Sequence, residues 1–285
     1  MSKLFYDSLG TTNLKDIIID LQKAAKELDF DFFGVGALAR NVWYASNDEV
    51  PRGTKDIDFA VYVPNSTIYN QLKDKLIKDY DYADVPNNSF CLNSPYGIPL
   101  DLLPFGEAEI DHTVEIDGEG LVSISLAGFS DTYMKGLVIK EIEDEKIKVC
   151  TIPSVVLLKL IAYDDRPENR PNDPIDIDSI MSHYPDIEFE AIWTEEYAFL
   201  YENEAEDNAI PSEKIGVAVL GYEISKIIHG NSDLTTRILH ILDKAINLDS
   251  ELAQQMIQDT ENETIETKTD VLTILKRGIE DGLKK

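Results

Sequence analysis

Aspartates two residues apart can seat a divalent cation, and this chain carries four such pairs: Asp29/Asp31, Asp56/Asp58, Asp79/Asp81 and Asp176/Asp178. Spacing selects none of them, because 30 aspartates in 285 residues produce about three such pairs by chance. Context selects one. Asp56 and Asp58 open the run DIDFAVYV, whose alternation and aromatic and branched content predict a strand. Side chains at i and i+2 of a strand point to one face, so both carboxylates share its mouth beside apolar Phe59, Val61 and Val63. A second predicted strand, GIPLDLLPF, holds a single charge, Asp101. Charge in a buried strand is costly unless it is paired or binds a cation. Asp101 therefore either pairs Arg52 or Lys55 at a strand end, or joins Asp56 and Asp58 as hard oxygen ligands for Mg²⁺, which grips substrate phosphates.

Two further elements could handle phosphate. GVGALAR (residues 34–40) lies between a predicted strand and a predicted helix. Gly34 and Gly36 let the backbone approach a ligand, and a helix N-terminus presents free N–H groups to an anion. The string also matches the G-x-G-x-x-A dinucleotide fingerprint, with Asp56 some 20 residues after Gly36. That reading fails on position: the fingerprint's acid follows the second strand, whereas Asp56 and Asp58 precede FAVYV. Lys159 is the only charge between Pro153 and Asp164. Its ammonium must snorkel to solvent or find an anion, and a triphosphate held by the glycine turn is a fitting one.

These elements sit in a chain of two predicted halves. Up to Cys150 short strands dominate: DFDFFGVG, DIDFAVYV, GIPLDLLPF, LVSISLAG, YMKGLVIKEI and KIKV, with helices from Asn13 to about Leu28 and from Ser66 through STIYNQLKDKLIKDY. After Pro153 apolar residues recur at helical spacing, as in Leu157, Leu160, Ile161 and in Leu234, Ile238, Ile241, Leu242. The expectation is an α/β domain over residues 1–150 with a mixed sheet, followed by a mainly helical domain over residues 151–285.

Composition narrows the partners. The net charge is −28, and residues 164–208 hold fifteen acids against two arginines, Arg166 and Arg170. Such a field repels nucleic-acid backbones and anionic membranes, so an RNA partner needs a local basic patch. Two cysteines suit a reducing cytoplasm, and four scattered histidines without ligand spacing argue against zinc. No signal-peptide pattern and no membrane-spanning run is present, so a cytoplasmic protein without membrane contact is expected.

Four blocks, GVGALAR, RGTKDIDFAVYV, PLDLLPFG and VVLLKLIAYDDRPENRPNDPIDI, resemble the nucleotidyltransferase family of AbiEii-type abortive-infection toxins. That family, the toxin of type IV toxin–antitoxin systems, is a branch of the DNA polymerase β-like nucleotidyltransferases. The blocks occur in family order over residues 30–180. The resemblance implies that Gly34, Gly36 and Ala37 form the phosphate-holding turn, with Arg40 on the same helix. It implies that Asp56 and Asp58 are the paired metal ligands and Asp101 the third carboxylate. Arg52 and Thr54 stand at the family's basic residue and threonine, Lys159 at a lysine touching the nucleotide, and Asp173 and Asp176 at a downstream Asp-x-x-Asp. Two departures stand out: Ala37 replaces the usual serine, removing a hydroxyl contact, and Asn172 replaces the basic residue before Asp173.

The function so implied is transfer of a nucleoside monophosphate from a nucleoside triphosphate to an acceptor hydroxyl, with two Mg²⁺ ions, or Mn²⁺ in their place. The resemblance points to tRNA or another RNA end as acceptor and to an antitoxin protein as a partner, while a protein or small-molecule hydroxyl stays open as acceptor. The rival is a module of the same fold that binds nucleotide or protein without turnover.

Overall fold

The structure is a computed structural model that describes residues 4–47, 49–106, 113–115, 123–201, 209–257 and 263–285. Two compact units divide the chain: Met1–Tyr133 with Leu137–Thr151, and Met134–Gly136 with Ile152–Lys285.

The first unit is α/β. Its strands are β1 (Asp31–Gly34), β2 (Ile57–Tyr62), β3 (Ala83–Val85), β4 (Asn88–Asn93), β5 (Pro99–Phe105), β6 (Thr113–Glu115), β7 (Ser123–Ser125), β8 (Leu137–Ile142) and β9 (Glu145–Cys150). Strands β6 and β7 pair separately, and the other seven form one mixed sheet in the order β3-β4-β5-β2-β1-β9-β8. Pairs β2/β5 and β1/β9 are parallel, the rest antiparallel. Helices α1 (Leu14–Leu28), α2 (Gly36–Ser46) and α3 (Ser66–Tyr80) belong to this unit, as does α4 (Phe129–Lys135) up to Tyr133.

Local chemistry explains the boundaries. Helix α1 buries Leu14, Ile17, Ile18, Leu21 and Ala24 at helical spacing. Asn13 precedes it with φ 53° and makes no side-chain cap. Helix α3 is capped by Asn65, whose side-chain oxygen accepts from the Ile68 N–H at 3.0 Å. The expected strand YMKGLVIKEI divides. Its first three residues end α4, and β8 starts at Leu137.

Register and the two-residue period of strands put Asp31 and Phe33 of β1, Asp58, Ala60 and Tyr62 of β2, and Asp101, Leu103 and Phe105 of β5 on one sheet face. Tyr133 of α4 lies on this face, stacked on Tyr62 with ring centroids 5.0 Å apart and edge-on to Phe105 at 5.5 Å. The opposite face carries Phe32 against Phe59. Tyr69 of α3 donates from its hydroxyl to the Leu102 carbonyl at 2.9 Å.

The second unit is helical: α5 (Ile152–Asp165), α6 (Asp173–Ile187), α7 (Phe189–Ile192), α8 (Ile215–Ile228), α9 (Ser232–Ala245), α10 (Glu251–Met256) and α11 (Ile265–Leu283). Helices α5 and α8 are apolar nearly all round and form the centre, burying Val156, Leu157, Leu160, Leu220 and Ile224. Helices α8 and α11 meet backbone to backbone. A Cβ on Gly221 would stand 2.2 Å from the Leu275 carbonyl oxygen, and one on Gly278 2.0 Å from that of Ala218. No helix among the described residues is long and apolar enough to cross a membrane.

Candidate functional site

The N-terminal ends of β2 and β5 and the C-terminal end of β1 converge in the first unit. Asp58 and Asp101 are direct register partners on the parallel pair β2/β5, so their side chains stand side by side on one face. Gly34 lies opposite Phe59, and the Val35 N–H donates to the Asp58 carbonyl at 3.1 Å, which seats the glycine turn against the same spot. Helix α2 then begins at Gly36, in the left-handed region with φ +56°. A Cβ there would stand 2.9 Å from Asp58 Oδ2. Glycine at this position is thus required twice, for its backbone angle and for the approach of the carboxylate. Gly34 serves packing, since a Cβ on it would meet Leu38 Cδ2 at 2.9 Å. Ala37 is half-buried in the first turn of α2.

Asp56 lies one residue before β2, in a bend. Its Oδ1 accepts from the Thr54 hydroxyl at 2.8 Å, and its carbonyl accepts from the same hydroxyl at 2.9 Å. Thr54 thereby sets the orientation of the carboxylate. The preceding loop is fastened from α2. Buried Asn41 donates to the carbonyls of Leu9 at 3.1 Å and Arg52 at 3.0 Å. Arg40, also buried, donates from Nη2 to Asn41 Oδ1 at 3.0 Å and to the Arg52 carbonyl at 3.3 Å. Arg40 therefore acts here through the loop that precedes Asp56, and the Arg52 backbone is the part of that residue these side chains hold.

Sequence reading missed β4 and with it Cys91, the register partner of Asp101 on its other side. Burial pushes the Cys91 thiol up, and the Asp101 carboxylate beside it and Asp56 farther off push it further. No residue spacing announces this neighbour, because the pairing of β4 with β5 depends on the turn between them. Sequence reading also gave Asp31 no role. Asp31 accepts from Lys148 of β9 and, at 2.7 Å, from the Tyr133 hydroxyl. Burial pulls its carboxyl up, but these bonds outweigh burial and hold it below the usual range. The Tyr133 hydroxyl, by burial and then by Asp31, is pushed up to about 12.

The remaining Asp-x-Asp pairs are engaged locally. Asp31 pairs Lys148, Asp79 pairs Lys75 at 2.8 Å, and Asp178 pairs Lys268 at 2.8 Å. Among the described residues, no three His, Cys, Asp or Glu side chains are gathered closely enough to cage an ion by themselves. The donor set still suits Mg²⁺, which keeps several waters and takes one or two protein carboxylates plus substrate phosphates. Asp58 and Asp101 provide that pair, with Asp56 two residues away.

In the second unit, Lys159 of α5 is 9% exposed and has found its anions within that unit. Its ammonium lies 2.5 Å from Asp173 Oδ1 and 2.9 Å from Asp176 Oδ2. The two acids are three residues apart at the start of α6, one turn of one helix face. Asp173 Oδ2 is buried without a hydrogen-bond partner, so the cluster has an acceptor to spare. Asn172, at the N-cap, makes no side-chain cap.

The fold these units build is an α/β domain with a mixed sheet, followed by a mainly helical part. No protein-family model matches the chain, and no curated protein matches its sequence. Among solved structures it is similar to an antigenic nucleotidyltransferase-like protein from Paracoccidioides brasiliensis, at 15% identity over 88% of this chain and 94% of that one, with a TM-score of 0.42. It is also similar to the antibiotic-resistance factor ANT(2'')-Ia, at 14% identity over 65% and 93% of the chains and a TM-score of 0.35. The Thermotoga maritima CCA-adding enzyme complexed with tRNA aligns at 10% identity over 100% and 87%, with a TM-score of 0.28.

Proposed function

We propose that the chain is a Mg²⁺-dependent nucleotidyltransferase of the polymerase β-like class, which moves a nucleoside monophosphate from a nucleoside triphosphate to an acceptor hydroxyl. The observation that carries this reading is the placement of Gly36 against Asp58 and of Asp58 beside Asp101. A helix start is held so close to the Asp58 carboxylate that no side chain fits between them. That arrangement offers N–H groups to phosphate oxygens on one side and carboxylates to a cation on the other.

In this reading Gly34, Gly36 and Ala37 receive the triphosphate on the first turn of α2. Asp58 and Asp101, with Asp56 beside them, would hold Mg²⁺, which would neutralise charge on the phosphates. The acceptor oxygen forms a bond to the α-phosphorus as the bond to the β-phosphate oxygen breaks, releasing pyrophosphate. Asp101 takes the acceptor's proton. Thr54, Asn41 and Arg40 keep the Asp56 loop in position, and their value is geometric. Lys159, Asp173 and Asp176, which the resemblance links to the nucleotide, pair with one another inside the second unit. Resemblance to the toxin-type branch further suggests an RNA end such as that of tRNA as acceptor, an antitoxin protein as partner and the cytoplasm as compartment. The net charge of −28 makes a protein hydroxyl the competing acceptor.

The experiment incubates the protein with each α-labelled nucleoside triphosphate, Mg²⁺ or Mn²⁺, and total cell extract, with Asp58→Asn as control. Label on a discrete RNA or protein band, lost in the variant, supports the reading and names donor and acceptor. Metal-dependent nucleotide binding without transfer would instead make the chain a nucleotide-binding module.

A further inference from the structure

Strand β4 extends the row of the carboxylate pair by one residue. Asp58 is in register with Asp101 across β2/β5, and Asp101 is in register with Cys91 across β5/β4. Register partners of an antiparallel pair share a sheet face, with Cβ atoms about 4.5–5.5 Å apart. The Cys91 sulfur therefore stands beside the Asp101 carboxylate on the side away from Asp58.

The hairpin turn between the two strands fixes this placement. The Ser94 N–H donates to the Ile98 carbonyl at 3.0 Å, and the Ser94 hydroxyl accepts from the Ile98 N–H at 3.1 Å. That closure sets Asn93 opposite Pro99, and two residues farther along each strand Cys91 meets Asp101. A slip of one residue would turn Cys91 to the other face and bring Phe90 or Leu92 to Asp101. Neither of those side chains can donate a hydrogen bond.

Cys91 is 4% exposed, so its thiol must find its acceptor inside the protein. Two are in reach: the Leu92 carbonyl at 3.8 Å and the Asp101 carboxylate, to which the thiol is hydrogen-bonded. The charged acceptor makes the stronger bond. A carboxylate has two oxygens, and a donor on one of them fixes the rotation of the group and hence the direction of the other. A thiol is a weak donor, so it orients the carboxylate while leaving it the charge that a cation needs. Thr54 does the corresponding work at Asp56, through its hydroxyl on Oδ1.

We propose that Cys91 is a positioning residue of the transferase site, whose thiol holds one oxygen of Asp101 so that the other faces the cation position beside Asp58. This role rests on the transferase reading above. Cys91 touches neither nucleotide nor metal and acts only through Asp101.

The test uses the full chain with Mn²⁺ as probe, its binding followed by electron paramagnetic resonance without nucleotide. Cys91→Val keeps an apolar side chain of similar size and removes the donor, whereas Cys91→Ser keeps a donor and gives up apolar contact. Packing alone ranks the valine variant above the serine variant; positioning ranks them the other way. Loss of a partner that orients a metal ligand costs at least about tenfold in affinity, so Cys91→Val should weaken Mn²⁺ by about that factor, with Cys91→Ser closer to wild type. Thermal melts should rank the same two variants in the opposite order. A second readout is infrared: the S–H stretching band that disappears in Cys91→Val should move to higher frequency in Asp101→Ala, where its acceptor is gone. A band that stays in place overturns the proposal whatever the metal does, because the thiol then bonds elsewhere. Equal Mn²⁺ affinity in wild type and Cys91→Val also overturns it and leaves the transferase reading standing. Wild-type protein that takes up no Mn²⁺, even with nucleoside triphosphate, refutes the transferase reading itself and this role with it.

Discussion

Replacing Gly36 by alanine separates two costs that the structure superposes. The first is conformational: a residue with a Cβ held at φ +56° pays roughly 1–2 kcal/mol. The second is contact, because the new Cβ stands 2.9 Å from Asp58 Oδ2, about 0.5 Å inside van der Waals distance. Gly97 supplies the control. It has φ +77° and nothing within 4 Å of its would-be Cβ, so Gly97→Ala pays only the conformational cost. Urea denaturation should therefore give a loss of about 1–2 kcal/mol for Gly97→Ala and a larger one for Gly36→Ala. Displacing a ligand carboxylate by a good part of an ångström can cost about 10²-fold in rate, so nucleotidyl transfer should fall by that order in Gly36→Ala and stay at wild-type level in Gly97→Ala. Equal stability losses with undiminished transfer in Gly36→Ala would refute the reasoning that this helix start is fitted to Asp58.

Asp58→Asn and Asp101→Asn should each reduce transfer by about 10³-fold or more, with metal-free stability equal or raised because carboxylate repulsion is relieved; far-ultraviolet circular dichroism melts and label transfer check both. Lys159→Met should destabilise the fold by about 3–5 kcal/mol, since it strands Asp173 and Asp176 in the interior, and adding Asp173→Asn and Asp176→Asn should recover much of the loss. A loss of only a few tenths of a kcal/mol in urea would show that the pair is not maintained. Asp31 has its carboxyl pKa depressed by Lys148 and Tyr133, so the stability it contributes is present above the unfolded carboxylate value and is lost as pH falls through the folded one. Stability of Asp31→Asn should fall less steeply than that of wild type below about pH 4, as measured by urea midpoints across that range.

Residue patterns revealed much of this arrangement. The change from two-residue to helical spacing after Pro153 coincides with the start of α5 at Ile152. The strand reading put Asp58 and Asp101 on two apolar runs; that the runs pair in parallel with the two acids in register is a fact of sheet order. That reading opened the strand at Asp56, whereas β2 starts at Ile57 and Asp56 lies in the preceding bend, bonded to Thr54. What stayed hidden depends on contacts far apart in sequence. The position of β9 beside β1, which brings Lys148 to Asp31, follows from sheet order, and no local spacing encodes it. Cys91 needed the β4/β5 pairing. Lys159 was legible as a charge in need of an anion, and the three-residue spacing of Asp173 and Asp176 was legible as a helix face; that these satisfy each other is a tertiary fact.

The meeting of α8 and α11 at Gly221 and Gly278 bears on the order in which the chain can acquire its structure during synthesis. The sheet of the first unit is complete once β9 ends at Cys150, and nothing in that sheet waits for later residues. The helical unit cannot close at that stage. Its central helix α8 has a strip of bare backbone shaped for α11, and no side chain of α8 can cover it, because that surface is defined by a missing Cβ. Until residues 265–283 have left the ribosome, α8 keeps an open apolar flank, while the first unit can already be folded. Translation thus imposes a schedule in which the sheet is finished early and the helical core is sealed only when α11 emerges.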